Sequence, residues 1–364
     1  MFAHKCARES ARKSARKRAQ RPPAGGLSLI EIMVGLVVAL LVGLAAVGSA
    51  NMFLAAQRQG IGTGGSMINA STALGALRDD ASVAGLGFFG DNRYLCNRLN
   101  LSMGNAVIQD GVPFTPLRVT RVGADDRVDV VYGTQVASGA NVLLNASTAG
   151  ADAELRSFLP VTVGQAVLLA PAVPGDACVV RTVTTVTDST VDSPQRLAFD
   201  VTGDFNKSVF TTPVTYPDRG RVALLGQLRW ARYRLEGTDL RLERPLAGDP
   251  VVLLRNVMAF RAEYGLSNAA AGSTGLESWQ SATGGFADLS AATLPRVRAL
   301  RIGLVTRSPQ AEKPNAAGVC EATAALPTVF GEAVTADVVD WRCYRYRTSI
   351  VVVPLRNLVM GMAP

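Results

Sequence analysis

The sequence predicts an α+β protein: one long N-terminal helix, its first half able to span a membrane, packed on a large antiparallel β-rich globular domain. Three observations carry this. Between Glu31 and Arg58 there is no charged residue, so Ile32 to Gln57 form a neutral, largely apolar run of 26 residues. Helical spacing returns at Met67, Leu74, Leu77, Ala81 and Ala84. From about Asp91 onward, short apolar runs alternate with Gly, Pro, Asn and Asp, the texture of strands and turns.

The chain begins with a basic segment. Residues 1–26 hold Lys5, Arg8, Arg12, Lys13, Arg16, Lys17, Arg18 and Arg21 against Glu9, a net of +7 out of +8 for the whole sequence. The high isoelectric point therefore belongs to this segment, and a nucleic-acid reading of the overall charge loses its basis. Positive charge just before an apolar run keeps residues 1–26 in the cytoplasm and sends the chain beyond Arg58 outward.

The apolar run follows. As a helix it measures about 39 Å at ~1.5 Å per residue, against a hydrocarbon layer of ~30 Å. Glu31 then falls near one face of the bilayer, where an ionised side chain without a partner costs on the order of several kcal/mol. An intramembrane carboxylate needs a partner. An ordinary secretory signal, cleaved near Gly48, Ser49 and Ala50, would carry neither a charge inside its apolar stretch nor a run this long.

The stretch Gly25, Gly26, Leu27, Ser28, Leu29, Ile30, Glu31 resembles the N-terminus of type IV pilin precursors, in which a leader ending in glycine precedes a hydrophobic residue and a glutamate at the fifth mature position. The resemblance implies that a prepilin peptidase cuts after Gly26 and that the amino group of Leu27 is N-methylated. It also implies that Glu31 sets register in a filament by pairing with the Leu27 amino group of a neighbouring subunit. Residues 27–57 are then the transmembrane and assembly helix.

Gly60, Gly62, Gly64 and Gly65 fall within six residues, and each costs about 1 kcal/mol of helix propensity relative to alanine. A kink, melted turn or hinge is expected there, with residues 58–90 as the second half of the helix, ended by Gly85, Gly87 and Gly90. Beyond it, residues 91–364 are expected to form the β-rich domain. Candidate strands are 127–132, 166–169, 178–186, 196–201, 227–235, 239–244, 258–264, 297–306 and 344–353, with a hairpin at Gly237. Residues 267–290 and 308–337 read as long loops.

Beyond the basic segment, which holds Cys6 and the single histidine His4, four cysteines remain: Cys96, Cys178, Cys320 and Cys343. An even number in an exported domain indicates two disulfides, with three possible connectivities. The expected pairing is Cys96 with Cys178 and Cys320 with Cys343, the second closing a short local loop. A metal site is not expected, since there is no C-x-x-C and no histidine after residue 26.

The same features weigh against an enzyme. The mature chain lacks a histidine for a triad, and neither G-x-S-x-G nor a P-loop occurs. Asp200 to Ser208, with Asp204 and Asn206, is similar to a calcium loop but lacks its correctly placed glycine and closing glutamate, so a solvated turn is expected. The cluster Trp341, Arg342, Cys343, Tyr344, Arg345, Tyr346, Arg347 offers stacking and phosphate contacts, but alternation on a strand with one packed face explains it equally well. No nucleic acid, small-molecule substrate or cofactor is expected.

Several segments further resemble PilW-like minor pilins, in order along the chain: Leu77 to Gly90 with Cys96 nearby, Asp126 to Gly133, Val163 to Leu169 with Cys178, Val257 to Gly265, Val297 to Ser308, and Val353 to Asn357. This resemblance implies a non-enzymatic subunit that primes assembly of a type IV pilus and sits at or near its tip. The implied partners are other minor pilins, the major pilin, a large tip adhesin, the prepilin peptidase and the inner membrane. The implied location is a single pass through the bacterial inner membrane with the globular domain periplasmic, then the extracellular pilus tip. A type II secretion pseudopilin shares the Gly26 to Glu31 signature, and a signal-anchored periplasmic binding protein is the alternative from another class.

Overall fold

Leu29–Ser82 form one α-helix of 54 residues, α1, in the computed structural model of the protein. The structure describes residues 28–360, apart from 91–92, 136–139, 173–174, 208, 212, 269–272, 274, 291 and 337. The chain divides into two units, Met1–Gln59 and Gly60–Pro364.

In the first unit the described part is helical from Leu29. Leu29–Ala50 has a mean hydropathy of 2.7 and is long and apolar enough to cross a membrane. Its side chains are exposed throughout, Leu29, Met33, Leu36 and Leu40 among them. An apolar surface of this kind asks for lipid or other helices around it.

The glycine run does not break α1. Helical hydrogen bonding continues through Gly60, Gly62, Gly64 and Gly65, which corrects the expected melted turn. Glycine lowers propensity but keeps its N–H and C=O, so a helix supported on both sides can run through it. In the second unit Ala70, Ala73, Leu74, Leu77 and Ala81 are buried, one stripe at helical spacing. Met67, expected on that stripe, is 54% exposed. The helix then exits through Gly85 (φ +79°), whose N–H donates to Val131 O at 2.9 Å, while Gly133 N–H donates to Leu86 O at 2.8 Å. A Cβ on Gly85 would strike the Phe89 ring, so both space and backbone require glycine.

Three larger sheets follow. A five-stranded antiparallel sheet runs Val251–Leu254, Asp239–Glu243, Leu228–Glu236, Asp125–Gly133, Leu117–Val122. Its hairpin turns at Gly237 (φ +59°), where Glu236 pairs with Asp239. A four-stranded antiparallel sheet runs Ser278–Ser281, Val257–Leu266, Val297–Arg307, Tyr346–Pro354. A six-stranded sheet runs Ala106–Pro113, Arg98–Met103, Cys178–Thr182, Ala166–Ala170, Arg221–Gly226, Asn141–Leu143. Within it Cys178–Thr182 lies parallel to Arg98–Met103, while the other described ladders are antiparallel. A three-stranded sheet of Thr185–Thr187, Gln195–Ala198 and Asp152–Leu155 completes the larger elements.

The six-stranded sheet separates two cores. Along Ala166–Ala170, Leu168 faces the larger core and Val167 and Leu169 the smaller; Ala223 and Leu225 alternate with Val222 and Leu224 in the same way. Both faces of these strands are covered, so they read as continuous apolar runs. The larger core joins Leu74 and Leu77 of α1 to Val130, Tyr233, Phe260, Tyr264, Ile302 and Val353.

Some boundaries differ from expectation. Residues 178–186 are two strands: Val183 N–H donates to Gln165 O and Thr184 N–H to Ala198 O, so the chain changes sheets there. The strand expected at 196–201 ends at Ala198. The loop expected at 267–290 contains the strand Ser278–Ser281, and that at 308–337 contains a hairpin of Thr328–Val329 with Glu332–Ala333.

Candidate assembly site

Ser28 and Glu31 shape the start of α1. The Ser28 N–H donates to Glu31 Oε2 at 3.0 Å, and the Ser28 hydroxyl accepts the Ile30 N–H at 3.2 Å. The spacing S-x-x-E lets serine and glutamate satisfy N–H groups that a helix start leaves open. Glu31, expected to find its partner on a neighbouring subunit, commits one carboxylate oxygen within its own chain. A carboxylate has about four acceptor positions, and among the described residues Oε1 takes no donor, which leaves it to a donor from outside. Gly25, Gly26 and Leu27, the cleavage and methylation positions, lie outside the described residues.

Further along α1, Asp80 holds the helix to the five-stranded sheet. Tyr132 Oη donates to Asp80 Oδ1 at 2.6 Å and Tyr233 Oη to Oδ2 at 2.5 Å. Burial, with the Asp80 carboxylate beside them, holds both phenols well above the usual tyrosine range. The neighbouring Leu77, Ala81 and Ala84 are buried, so this motif is a docking device between helix and sheet.

The second motif, around Asp125 and Asp126, joins the five-stranded sheet to the four-stranded one, while Asp129 ties strands within the five-stranded sheet. Asp125 Oδ1 accepts from Phe260 N at 3.0 Å and Arg261 Nη1 at 2.9 Å, and Asp126 Oδ2 from Ala262 N at 2.8 Å. Burial raises the Asp126 carboxyl, opposed by the Ala262 N–H and the Arg121 and Arg261 charges. Glu332 bridges Arg121 at 2.8 Å and Arg261 at 3.0 Å, and the Arg121 hydrogen bond holds its carboxyl below the usual range. Asp129 accepts from Trp230 Nε1 at 2.9 Å and Arg232 Nε at 2.6 Å. None of these aspartates was singled out by chemistry in the sequence; isolated carboxylates inside a β-branched strand were the available signal.

The cysteines pair as Cys96–Cys178 and Cys320–Cys343, with Cα atoms 5.6 and 4.8 Å apart. The first spans the parallel pair, since Cys178 lies opposite Leu99 in the ladder. The second ties the 308–345 region at the start of the last strand.

The calcium-like segment is a turn, with Asp200, Val201, Thr202, Asp204 and Lys207 exposed as expected, built around one buried side chain. Asn206 is buried; its Oδ1 accepts Thr182 N–H at 2.9 Å and its Nδ2 donates to Thr182 O and Asp200 O, both at 2.8 Å. Its amide serves the backbone. Among the described residues no group of three or more His, Cys, Asp or Glu is placed to hold a metal. In the cationic cluster, Arg342 stacks on Trp341 at 5.2 Å and Arg307 on Tyr344 at 4.6 Å, while Arg345 pairs with Glu312. The chain's own guanidiniums occupy those ring faces. Trp341–Cys343 is a 3₁₀ turn, and the strand begins only at Tyr346.

The described residues thus give an N-terminal apolar helix capped by Ser28 and Glu31, followed in the chain by a large β-rich unit whose ladders are mostly antiparallel. Residues 229–357 match the family model described as Type IV Pilus-assembly protein W. The matched span takes in the four-stranded sheet, the Cys320–Cys343 bridge and the segments 257–265, 297–308 and 353–357. Among solved structures the chain is similar to the type IV-like pilin TTHA1219 from Thermus thermophilus, at 11% identity over 80% of this chain and 96% of that one, with a TM-score of 0.34. No curated protein matches it.

Proposed function

We propose that this chain is a minor pilin that primes assembly of a type IV pilus and sits at or near its tip. Its partners in this reading are other minor pilins, the major pilin and a tip adhesin, and a prepilin peptidase cuts after Gly26 and leaves a methylated Leu27. The observation that carries it is the start of α1. Glu31 stands in the first turn with one oxygen held by Ser28 N–H and the other without a partner among the described residues, at the start of an exposed apolar helix. A cationic amino group on Leu27 of an adjacent subunit is a donor matched to that second oxygen in an otherwise apolar bundle. The helix thereby enters the bundle with a stagger of one subunit. The β-rich unit stays outside the membrane and caps the first turn of the filament.

Intact mass and N-terminal sequencing of the protein from membranes of its own host test the processing. The expected chain begins at methylated Leu27. A start near Asn51, or an intact leader, overturns the pilin reading. Recovery in a type II secretion filament instead of a pilus overturns the pilus assignment while leaving the processing intact.

A further inference from the structure

The edges of the sheets differ in one respect. Natural proteins blunt exposed strand edges by keeping them short, by charge or by proline. Val251–Leu254, Ser278–Ser281, Asn141–Leu143 and Thr185–Thr187 are short; Leu117–Val122 carries Arg118 and Arg121; Asp152–Leu155 carries Asp152 and Glu154; Ala106–Pro113 carries Asp110 and ends in proline. Tyr346–Pro354 is protected by none of these along most of its length. It pairs with Val297–Arg307 from Arg307↔Tyr346 to Ala299↔Pro354, and among the described residues no strand lies on its other side. Between Arg347 and Pro354 the sequence Thr348, Ser349, Ile350, Val351, Val352, Val353 holds no charge and is dominated by β-branched residues. Ile350 and Val352 are 56% and 49% exposed on one face.

We propose that this edge accepts an extended strand of a different polypeptide, added antiparallel to Tyr346–Pro354. The added strand supplies main-chain hydrogen bonds, apolar β-branched side chains opposite Ile350 and Val352, and a carboxylate opposite Arg347. Charge complementarity selects the occupant. Arg347 is exposed, and among the described residues its guanidinium meets the Met67 thioether at 2.9 Å and no carboxylate. In-register self-pairing about Ile350 would place each Arg347 opposite Val353, with no counter-charge. A donor strand with an acidic residue near its C-terminal end satisfies both the apolar centre and the basic end. The inference stands on this edge alone and is independent of processing at Gly26.

The test uses the full chain in detergent and a labelled synthetic peptide of alternating threonine and valine with glutamate at the position opposite Arg347. Binding is expected by fluorescence anisotropy, and N-methylation of the peptide amides that face the edge abolishes it. Arg347→Glu weakens binding about fivefold, and a peptide with lysine in place of its glutamate recovers it. Equal binding of the N-methylated peptide, or indifference to the Arg347 charge, overturns the proposal. So does a self-associated chain whose amides in the 347–353 stretch are protected from hydrogen exchange without peptide.

Discussion

The Ser28 N–H donates to the Glu31 carboxylate at 3.0 Å, so the residue expected to set filament register also caps the helix that carries it. The two roles separate by substitution. Glu31→Ala removes both the cap, at a cost of about 1 kcal/mol to the helix start, and the charge. Glu31→Gln keeps a carbonyl oxygen for Ser28 N–H and loses only the charge. Both variants are expected to be exported and processed but to be missing from filaments by immunoblot. Normal incorporation of Glu31→Gln would leave capping as the role of Glu31 and refute charge pairing.

Asp80 satisfies two phenols at once, and its removal strands both. Asp80→Ala leaves the Tyr132 and Tyr233 hydroxyls without their acceptor between helix and sheet, and the expected destabilisation is about 2–4 kcal/mol. Asp80→Asn keeps one acceptor oxygen and should cost less than Asp80→Ala. Urea unfolding of the two variants beside the parent gives the order.

The same phenols make stability fall in alkali. Burial raises Tyr132, Tyr216, Tyr233 and Tyr264 above the ordinary value of 10.0, and Asp80 adds to this for the first and third. Above about pH 10 the unfolded chain loses phenolic protons that the folded chain retains, so the folded state binds more protons and stability drops as pH rises. Below that range the contribution is fully present. Unfolding free energy measured between about pH 8 and pH 11 should therefore decline, and less steeply in Tyr233→Phe.

What the sequence made legible followed from pattern. The neutral run Ile32–Gln57 marked the helix, and alternation marked Asp125–Gly133, Leu228–Glu236, Val257–Leu266 and Val297–Arg307, because these strands are long and apolar on a buried face. Arg98–Met103 and Ala106–Pro113 were missed because Asn100, Ser102 and Asp110 interrupt the apolar pattern. All three polar groups are held by partners outside their own strand: Asn100 Oδ1 accepts Gly111 N–H, Ser102 Oγ donates to Phe205 O, and the Asp110 carboxylate accepts Thr211 N–H at 3.2 Å. At Gly60–Gly65 propensity pointed to a kink, melted turn or hinge, and the continuous helix removes the melted turn. Tertiary partners outweigh local preference where they exist, and they are not written in a window of neighbouring residues. The Glu31 motif was legible because it is local; the Asp80 clamp was not, because its two phenols lie 52 and 153 residues away.

The Cys96–Cys178 bridge should matter more to the β-rich unit than Cys320–Cys343. It closes 82 residues around a parallel strand pair, a pairing no local turn can nucleate, whereas the second closes 23. The chain-entropy argument assigns about 4–5 kcal/mol to the longer loop and roughly 3 kcal/mol to the shorter. Replacing Cys96 and Cys178 together with serine should lower the denaturation midpoint more than replacing Cys320 and Cys343. Hydrogen exchange should also differ: the first pair loosens amides along Arg98–Met103 and Cys178–Thr182, the second those from 308 to 345. Equal losses of stability from the two double variants, with the same amides loosened, would show that neither bridge acts on the element it spans.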